Sequence, residues 1–260
     1  KKNFFKKNIY LISLIFSNKY ISTIKYGKFN INKDLTFINL LKLISNTSNL
    51  NYKITIVDGW QTYQVNQYLN NYYDKNIDFK YEKIFADTYS INSSNSIHDL
   101  KKFIEEYTKK SLLKLGNNVL LDKFTIKELL IISSLVEKEG KSIEDKKIIS
   151  SVIFNRLKKN MKLQIDASVI YAITEGKRHL KRSLTYSDLK INHPYNTYHV
   201  KGLPPGMICY VSVNTLKLVL ENNKSDFLFY FYNIIEKKHI FSKTYEKHKS
   251  KLNEYRKKTK

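Results

Sequence analysis

All three prolines of this chain, Pro194, Pro204 and Pro205, lie within residues 192–206, NHPYNTYHVKGLPPG, with Gly202 and Gly206 out of only seven glycines in 260 residues. Proline fixes φ and removes a backbone donor, so this stretch is neither a helix interior nor a central strand. Glycine supplies the turns. The segment is a shaped loop, and between its stiffened ends it displays Tyr195, Asn196, Thr197, Tyr198 and His199. Aromatic faces stack on sugar rings, and amides and hydroxyls bond sugar hydroxyls and N-acetyl groups. Such a loop suits a large polar ligand; a purely structural turn is the alternative.

Composition bears on what that ligand is. Of 46 basic residues 42 are Lys and 4 are Arg, and Asn, Ile and Tyr crowd the chain, the residue usage of an AT-rich genome. A formal charge of +23 ordinarily favours a nucleic acid, an anionic membrane surface or another acidic polymer. Base-reading modules, however, use Arg for bidentate contacts and gather charge on one face. Lys here is dispersed, so no nucleic-acid partner is expected. The single cysteine, Cys209, excludes an internal disulfide framework and a thiolate metal cluster, and reads as a small buried hydrophobe. With 42% hydrophobic residues the chain can bury a core, as one large domain or two small ones. The apolar run IYLISLIF at 9–16 is shorter than the ~18 to 20 residues of a spanning helix. No signal peptide is evident, and the start at Lys1 is consistent with removal of an upstream anchor or signal.

Periodicity predicts a strand at 21–31, a helix at 36–45, a strand at 52–60 ending in an Asp58-Gly59 turn, and a helix from Thr62 to Tyr73. An extended stretch at 81–91 and a helix from Ile97 stopped at Gly116 follow. Thr125 with Glu128 forms a capping box for a helix that Gly140 ends. Ser142 caps the next helix, whose end at Asn160 suits a left-handed residue. Asp166 stands where it would cap a helix closed by Gly176, and Thr185 with Asp188 makes a small capping box. Ser212 caps a helix from Val213, 227–233 and 239–242 read as a hairpin, and a charged helix follows Thr244.

Chemistry points to the end of the helix carrying SSLVEKEG. That helix is apolar on every face from Leu129 to Val136, hence buried, and then meets Glu137 and Glu139. Glu137 continues a stripe through Ile126, Leu130 and Ser133; Glu139 continues one through Ile132 and Leu135. Periodicity does not choose between them. A carboxylic acid at the wet edge of an apolar core has its pKa raised by desolvation, as a general acid at neutral pH requires. Ordinary solvated residues of a last helical turn are the alternative.

The segments SSLVEKEG (133–140), VIFNRLKKNMKLQIDASVIYAI (152–173), HPYNTYHVKGLPPG (193–206) and HIFSKTYEKH (239–248) together resemble the endolytic murein transglycosylases, the MltG or YceG-like family. The resemblance extends upstream to YKITIVDGWQTYQV and YEKIFADTYSI, and YGKFNINKDLTFINLL is similar to the family's LysM-like region. It implies an α+β protein with a small LysM-like N-terminal domain, residues 1–80, and a larger mixed α+β YceG-like catalytic domain, residues 81–260. It implies a lytic transglycosylase that cuts peptidoglycan glycan strands internally, at the bond from N-acetylmuramic acid to N-acetylglucosamine, and so terminates glycan elongation and organises the wall. The family's catalytic glutamate aligns with Glu137. Members sit in the bacterial inner membrane by one N-terminal helix, absent from this chain, with the catalytic domain facing the periplasm or cell wall. Peptidoglycan strands are the implied partner, with peptidoglycan synthases beside them. Gly140, Asn160, Ile165, Ala167, His193 and Met207 depart from residues usual in the family.

The implied mechanism needs one carboxylate where ordinary glycosidases use two. The acid protonates the glycosidic oxygen, and as carboxylate then takes the proton of the muramic acid's own C6 hydroxyl, giving a 1,6-anhydro end. Asn155, Gln164, Asp166, Tyr195, Asn196, Thr197 and Tyr198 are the expected substrate-binding residues. For Asp166 a helix cap, and for Asn155 a bond to a neighbouring element, are alternatives. The histidines lack metal-ligand spacing, and neither a metal nor a cofactor is expected. Two other readings stand beside this one: a peptidoglycan-binding module without turnover, against which an intact Glu137 argues, and a basic nucleic-acid-binding protein.

Overall fold

The computed structural model describes residues 24, 28–31, 36–48, 50–74, 76, 78–116 and 118–259. The apolar run at 9–16 and most of the strand expected at 21–31 lie outside the described residues. The chain forms two compact units, one taking in the described residues up to Thr55 with Thr88–Phe103, the other Ile56–Asp87 with Ile104–Lys260. These bounds differ from a single division at residue 80: residues 56–80 belong with the larger unit, and 88–103 with the smaller.

In the smaller unit, α1 (Phe37–Ser45) is capped by Thr36, whose side chain accepts from the Asn39 amide. Strand β1 (Asn51–Thr55) pairs antiparallel with β2 (Thr88–Asn92), Asn51 opposite Asn92 and Thr55 opposite Thr88. Alternation puts Ile54, Tyr89 and Ile91 inside, the period-2 burial of a half-covered sheet. Helix α3 (Ile97–Leu113) is divided between the units at Phe103.

The larger unit is built around α4 (Ile126–Glu139), buried without interruption from Leu129 to Val136. Its capping box is present in full: the Thr125 hydroxyl accepts from the Glu128 amide, and Glu128 accepts from the Thr125 amide at 2.8 Å. Helices α5 (Ile143–Lys158), α6 (Asp166–Thr174) and α7 (Val213–Leu220) pack on α4. Ser142 and Ser212 cap α5 and α7 as expected. Asn160 is left-handed, with φ of 54°. Strands β3 (Phe229–Asn233) and β4 (Lys238–Ser242) form the expected hairpin, against which α8 (Tyr245–Lys258) lies.

The proline-rich loop runs straight into this core. Residues Met207 to Val211 are buried, and the Ile208 amide donates to Ser134 Oγ of α4 at 3.1 Å. On the other side Gly59 N–H donates to Tyr210 O, Tyr210 N–H to Trp60 O and Ala86 N–H to Val211 O, at 2.8–2.9 Å. Two expected elements are shorter than their patterns. Helix α2 (Thr62–Leu69) stops short of Tyr73, and the extended stretch from 81 opens with a 3₁₀ turn, Tyr81–Lys83, before β2.

Candidate active site

The end of α4 presents its two glutamates to different surroundings, because residues two apart on a helix point to different sides. Gly140 ends the helix in an extended conformation, with φ of −73°. A Cβ at Gly140 would overlap Lys146 Cγ and stand 3.1 Å from Lys146 Cα, so the absence of a side chain lets the first turn of α5 close on the end of α4. That approach carries Lys146 to Glu137, and Nζ donates to both carboxylate oxygens at 2.7 Å. Thr215 of α7 donates to Glu137 Oε2 at 2.5 Å. The Glu137 side chain is 7% exposed. It therefore ties three helices together with its oxygens occupied. Nearby, burial and then the charge of Glu137 push the Asp58 carboxyl up.

Glu139 meets the opposite conditions. It is partly buried, its Oε2 accepts from the Tyr230 hydroxyl of β3 at 3.2 Å, and the Ala167 amide of α6 also reaches it. Burial pushes its carboxyl up to about 7, the charge of Asp166 adds to the rise, and Tyr230, the Ala167 amide and Lys141 pull against it. A carboxyl poised there is divided between acid and base at neutral pH, the condition for donating and then recovering a proton.

Asp166 does not cap α6. The N-cap is Ile165, with no side-chain cap bond, and Asp166 is the first helical residue. Its Oδ1 instead accepts from the Tyr198 hydroxyl at 2.6 Å, joining the loop to the Glu139 side of α6. Burial and this bond push the Tyr198 phenol up, and the charge of Glu139 contributes to that rise. Gln164, exposed and left-handed with φ of 51°, precedes them, and its Oε1 accepts from Arg156 Nη1 at 3.4 Å.

The other expected substrate-binding side chains are engaged within the protein. Asn196 is fully buried: Nδ2 donates to Leu189 O at 3.0 Å and Ile191 O at 2.8 Å, and Oδ1 accepts from the Tyr198 amide. Thr197, also fully buried, accepts the Ile165 amide at 2.8 Å and meets Ser168 Oγ at 2.8 Å. Asn155 Nδ2 donates to Ser225 O at 2.7 Å and Phe227 O at 3.0 Å. Asn196 and Thr197 thus hold the loop, and Asn155, partly exposed, ties α5 to the approach to β3. Tyr195 is half-buried, its ring centroid 4.6 Å from that of Tyr171. Gly206 passes beneath it, where a Cβ would come 2.7 Å from the Tyr195 hydroxyl.

Tyr230 and Arg156 were not singled out from the sequence. Arg156 bridges the 162–164 turn and β3: Nη1 donates to Leu163 O at 2.7 Å and Nε to Leu228 O at 2.6 Å, while the guanidinium lies 5.3 Å from the centre of the Phe229 ring. The scarcity of arginine was the available signal, since a chain that uses Lys almost everywhere keeps Arg where a planar fork is needed. Tyr230 sits in an aromatic strand and gives none. Among the described residues no group of three or more His, Cys, Asp or Glu could hold a metal, and no helix is long and apolar enough to cross a membrane.

Residues 1–254 match the model of the YceG-like family. The endolytic murein transglycosylase of Bacillus subtilis (strain 168) is 39% identical over 102 residues, which are 39% of this chain and 27% of that protein. The endolytic murein transglycosylase of Streptococcus pneumoniae serotype 2 (strain D39) is 30% identical over 105 residues, 39% of this chain and 19% of that protein. The match therefore spans about a quarter and a fifth of these curated relatives. A crystal structure of a YceG-like protein from Listeria monocytogenes is similar with a TM-score of 0.66 and 26% identity, over 92% of this chain and 89% of that one.

Proposed function

This chain belongs to the YceG-like family, and we propose that it is a lytic transglycosylase that cuts peptidoglycan glycan strands internally, with Glu139 as its general acid and base. The observation that carries the reading is the Glu139 carboxyl, pushed up to about 7 beside Asp166, with Tyr198 of the shaped loop bonded to that same Asp166. The family resemblance points to Glu137; the present reading favours Glu139 because Glu137 is bound through both oxygens to Lys146, while burial raises the Glu139 carboxyl to about 7.

Protonated Glu139 donates to the glycosidic oxygen between N-acetylmuramic acid and N-acetylglucosamine, and the bond breaks through an oxocarbenium-like transition state. Asp166, whose charge already acts on Glu139, would favour that positive charge. The muramic acid's C6 hydroxyl then attacks its own C1 while the Glu139 carboxylate takes the hydroxyl proton, leaving a 1,6-anhydro end and regenerating the acid. An intramolecular nucleophile avoids the entropy cost of capturing water, and the proton transfers contribute about 10² to 10⁴ in rate. Of the expected residues, Asn155, Gln164, Asp166, Tyr195 and Tyr198 keep exposed surface with which to touch sugar. To this reading belong a LysM-like glycan-holding role for the smaller unit, an N-terminal membrane anchor, a catalytic domain facing the cell wall, and peptidoglycan synthases as partners.

Incubation of purified sacculi with the protein, followed by mass spectrometry of the muropeptides, tests the reaction. Anhydro-muramyl ends formed within strands are expected from the parent and not from Glu139→Gln. Glycan bound without anhydro ends would make the chain a binding module instead.

A further inference from the structure

Beside the acid lies a second feature that the cleavage chemistry does not use. A cavity of about 200 Å³ is lined by Gln61, Tyr63 and Gln64 from the start of α2, Lys138 of α4, Ala167 and Ile170 of α6, and the segment carrying Arg178, His179, Leu180 and Arg182. Lysine, two arginines and a histidine face it, and no carboxylate does. It adjoins the acid: Lys138 precedes Glu139 on α4, and Ala167, whose amide bonds Glu139, is a wall residue.

The cations are held to different degrees. Arg182 is committed to Asp188, with Nη2 donating to Oδ1 at 2.9 Å, and Asp188 is only 8% exposed in its side chain. Lys138 Nζ donates to Gly59 O at 3.3 Å and forms no ion pair among the described residues. Arg178 has no hydrogen-bond or ion-pair partner among the described residues. In a chain with only 4 arginines, one stands unpaired at a cavity next to the acid. Two cations without an ion pair, at a wall without acids, make a site for an anion, and arginine's planar fork fits a carboxylate in particular.

We propose that this cavity is a carboxylate subsite that takes the peptide stem carried by the muramic acid, with Arg178 as its principal contact and Lys138 beside it. This rests on the transglycosylase reading, which supplies the ligand: a glycan strand in the cleft carries its peptide, through the lactyl group, on the sugar whose bond is cut. The protein would accordingly cut peptide-bearing strands in preference to bare ones.

The test is binding of a fluorescently labelled disaccharide-peptide with free carboxylates, of the same compound with its carboxylates converted to amides, and of the peptide-free disaccharide, measured by anisotropy on the whole chain. The free-carboxylate ligand is expected to bind about tenfold tighter than the amide form, the scale of one charge-assisted contact. The preference should narrow as salt rises, vanish in Arg178→Gln with Lys138→Gln, and survive in part in Arg178→Lys. Equal binding of the free and amidated ligands by the parent, or a preference unchanged in the double variant, overturns the proposal. Cleavage of sacculi is scored separately: a parent that cuts without discriminating loses only the subsite, and a parent that discriminates without cutting loses only the reaction.

Discussion

At the scale of single residues, two glutamates two positions apart have opposite surroundings. Glu139 holds its proton to about pH 7 in the folded protein and to about 4.5 when unfolded. A raised carboxyl pKa means that the folded state binds more protons than the unfolded one across that window, so this residue's contribution to stability falls as pH rises from about 4.5 to about 7. Glu139→Gln should therefore gain on the parent over that range, by about 1 to 3 kcal/mol once solvent access is allowed for, in urea titrations at pH 4.5 and 8. The same pKa requires kcat/KM on sacculi to fall about tenfold per pH unit above 7, as the acid form is lost. Glu137→Gln should behave otherwise: it strands the partly exposed Lys146 ammonium and costs about 1 to 3 kcal/mol of stability, while anhydro ends still form. If Glu137→Gln is the stable, inactive variant, the roles are reversed. The sequence made both carboxylates visible but left them tied, because each continues an apolar stripe. What separates them, Lys146 and Thr215 on one side and Asp166 and Tyr230 on the other, lies 9 to 91 residues away along the chain.

Elements with local signatures were legible. The Thr125 and Glu128 box, the Ser142 and Ser212 caps and the β3–β4 hairpin all follow from contacts within a few residues. The start of α6 was not, because Asp166 and Ile165 differ by one position and only Tyr198, 32 residues on, decides where the Asp166 side chain goes. The proline-rich loop's composition suggests a ligand-facing surface; its polar centre, Asn196 and Thr197, is buried and holds the loop's shape, while Tyr198 faces Asp166. Thr197→Val keeps the shape and removes the hydroxyl that the Ile165 amide and Ser168 share. It should cost about 1 to 3 kcal/mol in a chemical-denaturation midpoint, as expected for stranding a buried donor, and lower kcat/KM by displacing Asp166 and Tyr198. An unchanged midpoint would mean that the junction is held by something else.

For the whole molecule, charge is the most visible property and the least specific. A net +23 carried by 42 lysines and 4 arginines should give only weak attraction to duplex DNA, with Kd no tighter than about 1 μM at ~150 mM salt; filter binding or anisotropy measures it. The larger unit also draws on two separated stretches of chain, Ile56–Asp87 and Ile104–Lys260. The backbone around Gly59 and Ala86 bonds to Tyr210 and Val211, which the ribosome makes much later. At ~5 to 20 residues per second, the interval from Asp87 to Val211 lasts about 6 to 25 s. Throughout it the Gly59 and Ala86 amides and the Trp60 carbonyl lack these partners and stay open to solvent or to a chaperone. Order in time thus runs against order in space: the short stretch of the larger unit that is translated first is the one that must wait.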